Sequence, residues 1–195
     1  MYESILKSGQ ESAELYFNLG NAYYKLHKVA PAIYNYEKAL LLNPADSEIQ
    51  TNLKFAQKMA IDEIKVVPKV GFSQMLNEAL DVFHYNTWAA MATGFSALFL
   101  LFFMGYYFGN TSLLKRLFFT GMIVVFLAML GSVAAAFMER NHYNNERPAI
   151  VFAEVVSVKN EPKANAPDAL ELHEGTKVFI METLDNWCKV ELTDA

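Results

Sequence analysis

Two long runs without charged side chains constrain this chain more than any other feature. They cover residues 88–108 and 117–138, and only Lys115 and Arg116, both in the polar break 109–116, carry charge between the two ends. At about 1.5 Å per helical residue, each run reaches roughly 30 Å, the thickness of a bilayer's hydrocarbon core. The runs therefore predict two transmembrane helices joined by a short loop, with a pair of buried core helices as the alternative.

The interior of both runs has no ionisable side chain, although transport pathways through membranes usually need one. Its polar side chains are hydroxyls such as those of Thr93 and Ser132, which can bond to their own helix. We therefore expect an anchor, in which four glycines let the two helices approach closely. These glycines are Gly94, Gly105, Gly121 and Gly131.

The segment just before the first run, residues 72–86, predicts an amphipathic helix. Its apolar residues recur at helical spacing and its polar residues lie opposite them. Such a helix either lies in the membrane interface or packs on the N-terminal domain, and the sequence leaves both open.

Residues 13–46 have the pattern of a repeat made of two helices. Small residues let the helices touch, larger side chains fill the space around them, and a proline ends the unit. These positions are Tyr16, Leu19, Gly20, Tyr23, Ala32, Tyr36, Ala39 and Pro44. They resemble the tetratricopeptide (TPR) pattern, with departures at the turn residues His27 and Val29. The resemblance implies a helical solenoid unit that binds other proteins.

One TPR unit leaves apolar faces open, and about three stacked units are the usual requirement. We expect a helix over 47–67 to cover one face. Residues 2–12 have the register of an earlier half-repeat, so the repeat region covers residues 1–67. We also expect the protein to continue upstream of Met1.

The first helix of a TPR unit lines the concave groove of the solenoid, and one stripe of this helix is separate from its packing residues. The stripe consists of Glu14, Phe17, Asn21, Tyr24 and Lys25, at three- and four-residue steps. We interpret it as a partner-binding groove, in which Asn21 bonds a peptide backbone and Lys25 a carboxylate. Asn21 and Lys25 should then be replaceable without loss of stability. The alternative is a solvated face with two aromatic rings packed on a preceding repeat.

The C-terminal segments 149–162 and 170–192 alternate apolar and polar residues between prolines and a glycine, which predicts short antiparallel strands. Their order resembles a bacterial SH3-like barrel over residues 149–195. A final strand of that fold is absent, so we expect an incomplete barrel and a chain that continues.

Two residues of the last predicted strand have alternative roles. Trp187 is either an aromatic of an SH3-like binding cleft or a strand residue that packs under a loop. Cys188 alternates with Val190 and Leu192, which predicts a small core residue and not a redox group.

The order of TPR units, two-span hairpin and SH3-like domain resembles the BatE proteins of bacterial aerotolerance operons over nearly the whole chain. The resemblance implies a bacterial inner-membrane protein that acts with von Willebrand factor A-domain membrane proteins and a MoxR-type ATPase. Basic residues in short loops favour the cytoplasm. We therefore expect loop 109–116 in the cytoplasm, with the TPR and SH3-like parts in the periplasm.

The sequence thus predicts a membrane-anchored scaffold for protein partners, with no cofactor or metal. A cell-wall-binding envelope stress sensor, whose SH3-like domain holds peptidoglycan peptides, is the alternative. An enzyme ranks third, because the four histidines are scattered and the sequence has no nucleophile triad or phosphate-binding loop. Both polar segments are mildly acidic, which argues against a nucleic-acid partner.

Overall fold

The computed structural model describes residues 2–62, 80, 82–145 and 147–192; the side chains of residues 142–145 are not described. The chain divides into two compact units. Residues 1–75 and 145–195 together form the first unit, and residues 76–144 form the second. The first unit is therefore built from the segments on both sides of the apolar hairpin.

Four helices make up the N-terminal part of the first unit. They are α1 (Tyr2–Lys7), α2 (Ala13–Lys25), α3 (Val29–Leu42) and α4 (Ser47–Gln57). Side chains cap two of them, because the Ser12 hydroxyl accepts from Leu15 N at 3.1 Å and Asp46 Oδ1 accepts from Glu48 N at 2.9 Å. Helix α1 attaches through Leu6, which packs against the core, and through Glu3, which accepts from the Tyr23 hydroxyl.

Helices α2, α3 and α4 enclose one apolar core with Tyr36 at its centre. The Tyr36 ring lies directly on Gly20, where an added Cβ would come within 2.7 Å of the ring. Glycine is thus required for α2 to approach α3. The TPR signature is buried as predicted, apart from Tyr23 and Pro44, which are half-buried.

Helix α4 covers the open face of the TPR unit, as predicted, by burying Ile49, Leu53 and Ala56. It ends at Gln57, however, and does not continue towards residue 67. Backbone hydrogen bonds between residues three positions apart follow the helix. Met59 N donates to the Ala56 carbonyl at 3.0 Å, and Ala60 N donates to the Gln57 carbonyl at 3.1 Å. Residues 63–67 lie outside the described residues.

The C-terminal part of the first unit contains five short strands. They are β1 (Pro148–Ile150), β2 (Val155–Lys159), β3 (Asp168–His173), β4 (Lys177–Leu184) and β5 (Trp187–Leu192). All pairings are antiparallel, as predicted, but the strands form a three-stranded sheet in the order β1-β4-β5 and a separate two-stranded sheet, β2-β3. Within the described residues no barrel closes, because no ladder joins the two sheets.

The turn between β3 and β4 packs on the TPR unit. Gly175 is buried in this turn at φ +93°, and a Cβ there would meet Val29 and Ile33 of α3 at 3.0 and 3.1 Å. Glu174 Oε1 accepts from Ala30 N at 3.2 Å. This carboxylate supplies the cap that α3 lacks, because its N-cap residue Lys28 makes no side-chain capping bond.

Asp62 binds the same turn through both carboxylate oxygens. Oδ2 accepts from the Thr176 hydroxyl at 2.6 Å and from His173 N at 2.7 Å, while Oδ1 lies 2.7 Å from His173 Nδ1. The Nδ1 atom must carry a proton to donate to a carboxylate. A fourth link joins Lys177 Nζ to Glu37 Oε2 of α3 at 2.7 Å.

The second unit contains α5 (Tyr85–Phe108) and α6 (Ser112–Asn145). By length and composition, α5 and residues Ser112–Asn141 of α6 could cross a membrane. Their most apolar windows are only 6% and 11% buried, whereas core helices of soluble proteins are mostly buried. The break between them covers 109–111 and is shorter than the predicted loop 109–116. Helix α6 begins earlier because Thr111 caps it, its Oγ1 accepting from Leu114 N at 3.4 Å.

Two of the four glycines lie where the helices of this hairpin meet. A Cβ on Gly105 would come within 2.7 Å of the Phe118 ring, and one on Gly121 within 3.3 Å of the Phe102 ring. Gly94 and Gly131 have open space around them, so the prediction of a close approach is wrong for these two.

The amphipathic helix predicted over 72–86 lies largely outside the described residues. Where the structure does describe this segment, Val82 and Phe83 lie in a turn and a bend, and His84 caps α5 by accepting from Asn86 N. The predicted helix therefore does not run continuously to residue 86.

Acid should weaken the contact of Asp62 with the β3–β4 turn. Desolvation raises the pKa of Asp62, but the hydrogen bonds from Thr176 and His173 outweigh it, so the pKa lies below its ordinary value. A carboxyl with a lowered folded pKa stabilises the fold above its unfolded pKa, about 3.9, and loses that contribution as the pH falls through the folded pKa. We expect Asp62→Asn to lower the free energy of unfolding by about 1–3 kcal/mol at pH 7.

Urea unfolding of the full chain in detergent, followed by near-UV circular dichroism between pH 7 and 3, measures this difference. The deficit of Asp62→Asn should begin to shrink as the pH falls below the unfolded pKa of about 3.9, because the unfolded parent chain then takes up a proton, and it should be smallest once the folded carboxyl is protonated as well. Thr176→Ala is the matched control, because it removes one donor and leaves the carboxylate in place. A deficit that stays constant down to pH 3 would contradict the assignment.

Candidate functional site

The predicted groove stripe lies along α2 on one continuous surface. Its end residues, Glu14 and Lys25, are exposed, and its central residues, Phe17, Asn21 and Tyr24, are half-buried. By contrast, α3 has one face that is fully enclosed, formed by Ala32, Ile33, Tyr36 and Ala39. The stripe on α2 thus combines exposed charged ends with half-buried central side chains.

Asn21 joins the three helices of the TPR core. Its Oδ1 accepts from the Tyr36 hydroxyl of α3 at 2.7 Å and from Asn52 Nδ2 of α4 at 2.9 Å. Burial raises the pKa of Tyr36 to about 12. The hydroxyl therefore keeps its proton at physiological pH and donates it to Asn21 Oδ1, so the amide oxygen of Asn21 is directed towards α3.

This orientation leaves the Asn21 Nδ2 group as the hydrogen-bond donor of the stripe. Among the described residues no acceptor binds Nδ2, so it is available to a peptide carbonyl. The side-chain oxygen thus holds the helices together, while the nitrogen has no bonded partner among the described residues. The sequence predicted a contact between Asn21 and a partner peptide, which stays a prediction, and it missed the contacts with Tyr36 and Asn52.

The aromatic members of the stripe also contribute to the core. The Phe17 and Tyr36 ring centroids lie 6.0 Å apart, and both Phe17 and Tyr24 pack against the buried cluster. Their exposed edges therefore belong to rigid side chains held by the fold. A rigid aromatic edge can contact a ligand without a large loss of side-chain entropy.

The residue that sequence reasoning missed at this site is Asn52. It lies in α4, which follows the matched repeat, and its partner Asn21 is 31 positions earlier. No sequence signal indicated it, because Asn52 lies outside the matched repeat and a repeat period of 34 residues aligns it with Asn18, which is not part of the stripe.

In the C-terminal part, the structure separates Trp187 from the apolar groove. Trp187 is half-buried at the start of β5 opposite Leu184, next to the turn of the β4–β5 hairpin. The groove has a volume of about 410 Å³ and lies between the two sheets, lined chiefly by residues of β3 and β5 such as Leu170, Leu172 and Leu192. Trp187 does not line it.

Cys188 is exposed, so its prediction as a core residue is wrong. It pairs with Thr183 near the tip of the β4–β5 hairpin, beyond the register shift between Ile180 and Glu182. Alternation along β5 places it on the same face as Val190, but the core does not extend that far. In the part of the chain that the structure describes, no three His, Cys, Asp or Glu side chains form a group that could hold a metal ion.

Comparison with known families matches residues 13–46 to the tetratricopeptide repeat. The match covers the α2–α3 hairpin and ends just before α4. Searches of curated proteins and of solved structures found no match. The first unit therefore contains a TPR repeat, and TPR repeats suggest a module for protein–protein interaction.

The contacts of Asn21 change one expectation, because replacing this residue should now reduce stability. Asn21→Ala leaves the buried Tyr36 hydroxyl without its acceptor, which should lower the free energy of unfolding by about 1–3 kcal/mol. Lys25→Ala, at an exposed position of the same helix, should change it by less than about 0.5 kcal/mol. Urea unfolding of both variants and the parent in detergent measures the difference. Equal stability of the two variants would show that the Asn21 hydrogen bonds contribute nothing.

Proposed function

We propose that this protein is a membrane-anchored scaffold whose TPR unit binds an extended segment of a partner protein along α2. The observation that carries the proposal is the asymmetry of the TPR unit. The β3–β4 turn and α4 cover its apolar faces, while the α2 stripe keeps its exposed charges and the Asn21 Nδ2 group, to which no acceptor binds among the described residues. A surface that the fold already holds rigid loses little entropy on binding.

The charges of the stripe define the partner segment. Glu14 and Lys25 are eleven residues apart on one helix, which corresponds to about 16 Å. An extended peptide covers that distance in about five residues. The best partner segment therefore has a basic and an acidic residue about five positions apart, with apolar side chains between them to contact Phe17 and Tyr24.

The apolar helices α5 and α6 serve as the anchor. Their length and amino-acid composition support this role. Further support comes from the first unit, which is formed by residues 1–75 together with residues 145–195. Segments on both sides of the hairpin must share a compartment to form that unit, so the chain crosses the membrane an even number of times. Lys115 and Arg116, in the first turns of α6, favour a cytoplasmic hairpin tip.

The resemblance to BatE proteins extends this proposal to a cellular setting. The scaffold would then act in the bacterial inner membrane, with its first unit in the periplasm, and would assemble von Willebrand factor A-domain membrane proteins into a complex of the aerotolerance type. The partner segment of that complex should carry the charge spacing derived above.

Charge reversal at one end of the stripe should change which peptide binds. Two fluorescent peptides serve as probes, and each has four apolar residues between two charged ends. The lysine–glutamate peptide ends in a lysine and a glutamate, and the dilysine peptide ends in two lysines. The parent should prefer the lysine–glutamate peptide, and Lys25→Glu should prefer the dilysine peptide, each by about two- to fivefold in Kd, as expected for exposed charge pairs.

Fluorescence anisotropy with the full chain in detergent measures both affinities. Lys163→Glu is the control, because Lys163 lies in the loop between β2 and β3 and is 73% exposed. An unchanged preference in Lys25→Glu would exclude the α2 stripe as the binding surface.

Cysteine labelling tests the anchor and its orientation. In a Cys188→Ala background, which removes the exposed native thiol, single cysteines replace Asn110 at the hairpin tip and Asn165 in the first unit. In spheroplasts, a membrane-impermeant maleimide should label position 165, and should label position 110 only after permeabilisation. The opposite pattern would reverse the orientation. Release of the protein from membranes by alkaline carbonate would contradict anchoring.

A further inference from the structure

Within the part of the chain that the structure describes, strand β5 has one unpaired edge. Among the described residues it pairs with β4 alone, and it lies at the outer side of the sheet β1-β4-β5. An edge strand of six residues with free backbone groups is a template for pairing with another strand. The direction of its hydrogen-bonding groups and the order of its side chains decide what can pair there.

The backbone of Val190 points towards this free edge. Ile180 N donates to the Arg147 carbonyl at 2.9 Å, so the polar backbone groups of Ile180 face β1. Ile180 lies opposite Val190, and this pair must therefore be a non-hydrogen-bonded one. The N–H and C=O groups of Val190 then face away from β4. By alternation, those of Cys188 and Leu192 do so too.

We propose that β5 pairs with β5 of a second copy of this chain, antiparallel and centred on Val190. The order Lys189-Val190-Glu191 is self-complementary in that register. Val190 would lie opposite its own copy in a hydrogen-bonded pair, and Lys189 opposite Glu191 of the partner subunit in a non-hydrogen-bonded pair. Cross-strand side chains are closest in non-hydrogen-bonded pairs, so both opposite-charge contacts fall where they are strongest.

The other face of the paired strands is apolar. Val190 and Leu192 line the groove between the two sheets, together with Val158, Leu170 and Leu172. The partner's Val190 adds an apolar side chain to this face. The pairing joins two three-stranded sheets into one of six strands around a two-fold axis, and such an interface closes on itself without leading to fibres.

Charge reversal tests the register, because the strand pairs with itself. Lys189→Glu places only acidic residues at the four facing positions, and Glu191→Lys places only basic ones. Each single variant should weaken dimerisation at least about tenfold. The double variant Lys189→Glu/Glu191→Lys restores opposite pairs and should dimerise like the parent. The two single variants, mixed in equal amounts, should form a heterodimer.

Sedimentation equilibrium of the full chain in detergent, over a range of protein concentrations, measures each dissociation constant. Glu182→Gln is the control: it removes the 3.5 Å contact between Glu182 and Lys189 within one chain but leaves the facing pairs intact. Thermal unfolding checks that each variant is folded. A parent that stays monomeric at about 100 µM, as when another segment occupies the β5 edge, overturns the proposal. A dimer whose dissociation constant in both single variants equals that of the parent also overturns it.

Discussion

The first unit depends on the contact between Asp62 and the β3–β4 turn. One carboxylate accepts from the Thr176 hydroxyl and from the backbone and ring nitrogens of His173, so it holds both ends of the turn. This anchoring presses Gly175 against α3 and brings Glu174 to the N-terminus of that helix. A lone TPR unit cannot bury its apolar faces, and here a β-turn from the far end of the chain supplies part of the cover that neighbouring repeats supply in a longer solenoid.

That contact also links the fold of the first unit to the path of the chain. Asp62 and His173 are 111 positions apart, and the apolar hairpin lies between them. Their hydrogen bonds form only if the segment after α6 comes back to the segment before α5. If α5 and α6 lie in a bilayer, the folding of the first unit thus requires the complete hairpin, and failure to insert either helix would separate the TPR unit from the turn that covers it.

If the α2 stripe binds a partner as proposed, the same side chains serve both stability and recognition. The oxygen of Asn21 holds Tyr36 and Asn52, and the inner edges of Phe17 and Tyr24 pack on the core. Of the five stripe residues, only Glu14 and Lys25 are exposed and do not pack against the core. Affinity for a partner can therefore be tuned through the charged ends, whereas changes at the centre of the stripe affect folding and binding together.

Sequence patterns alone determined the elements: the TPR helices, the two apolar helices and the antiparallel strands follow from periodicity, small residues at crossings and prolines at ends. These patterns are local, and so they could not predict which segments meet. Asp62, Glu174 and Lys177 look like ordinary surface charges in the sequence, and the exposure of Cys188 depends on where the core ends along β5. Only the tertiary structure decided that the β3–β4 turn covers the TPR unit, that Asn21 joins α3 and α4, and that β5 pairs with β4 alone among the described residues. Each of these depends on contacts between residues far apart in the chain, to which hydrophobic periodicity is blind.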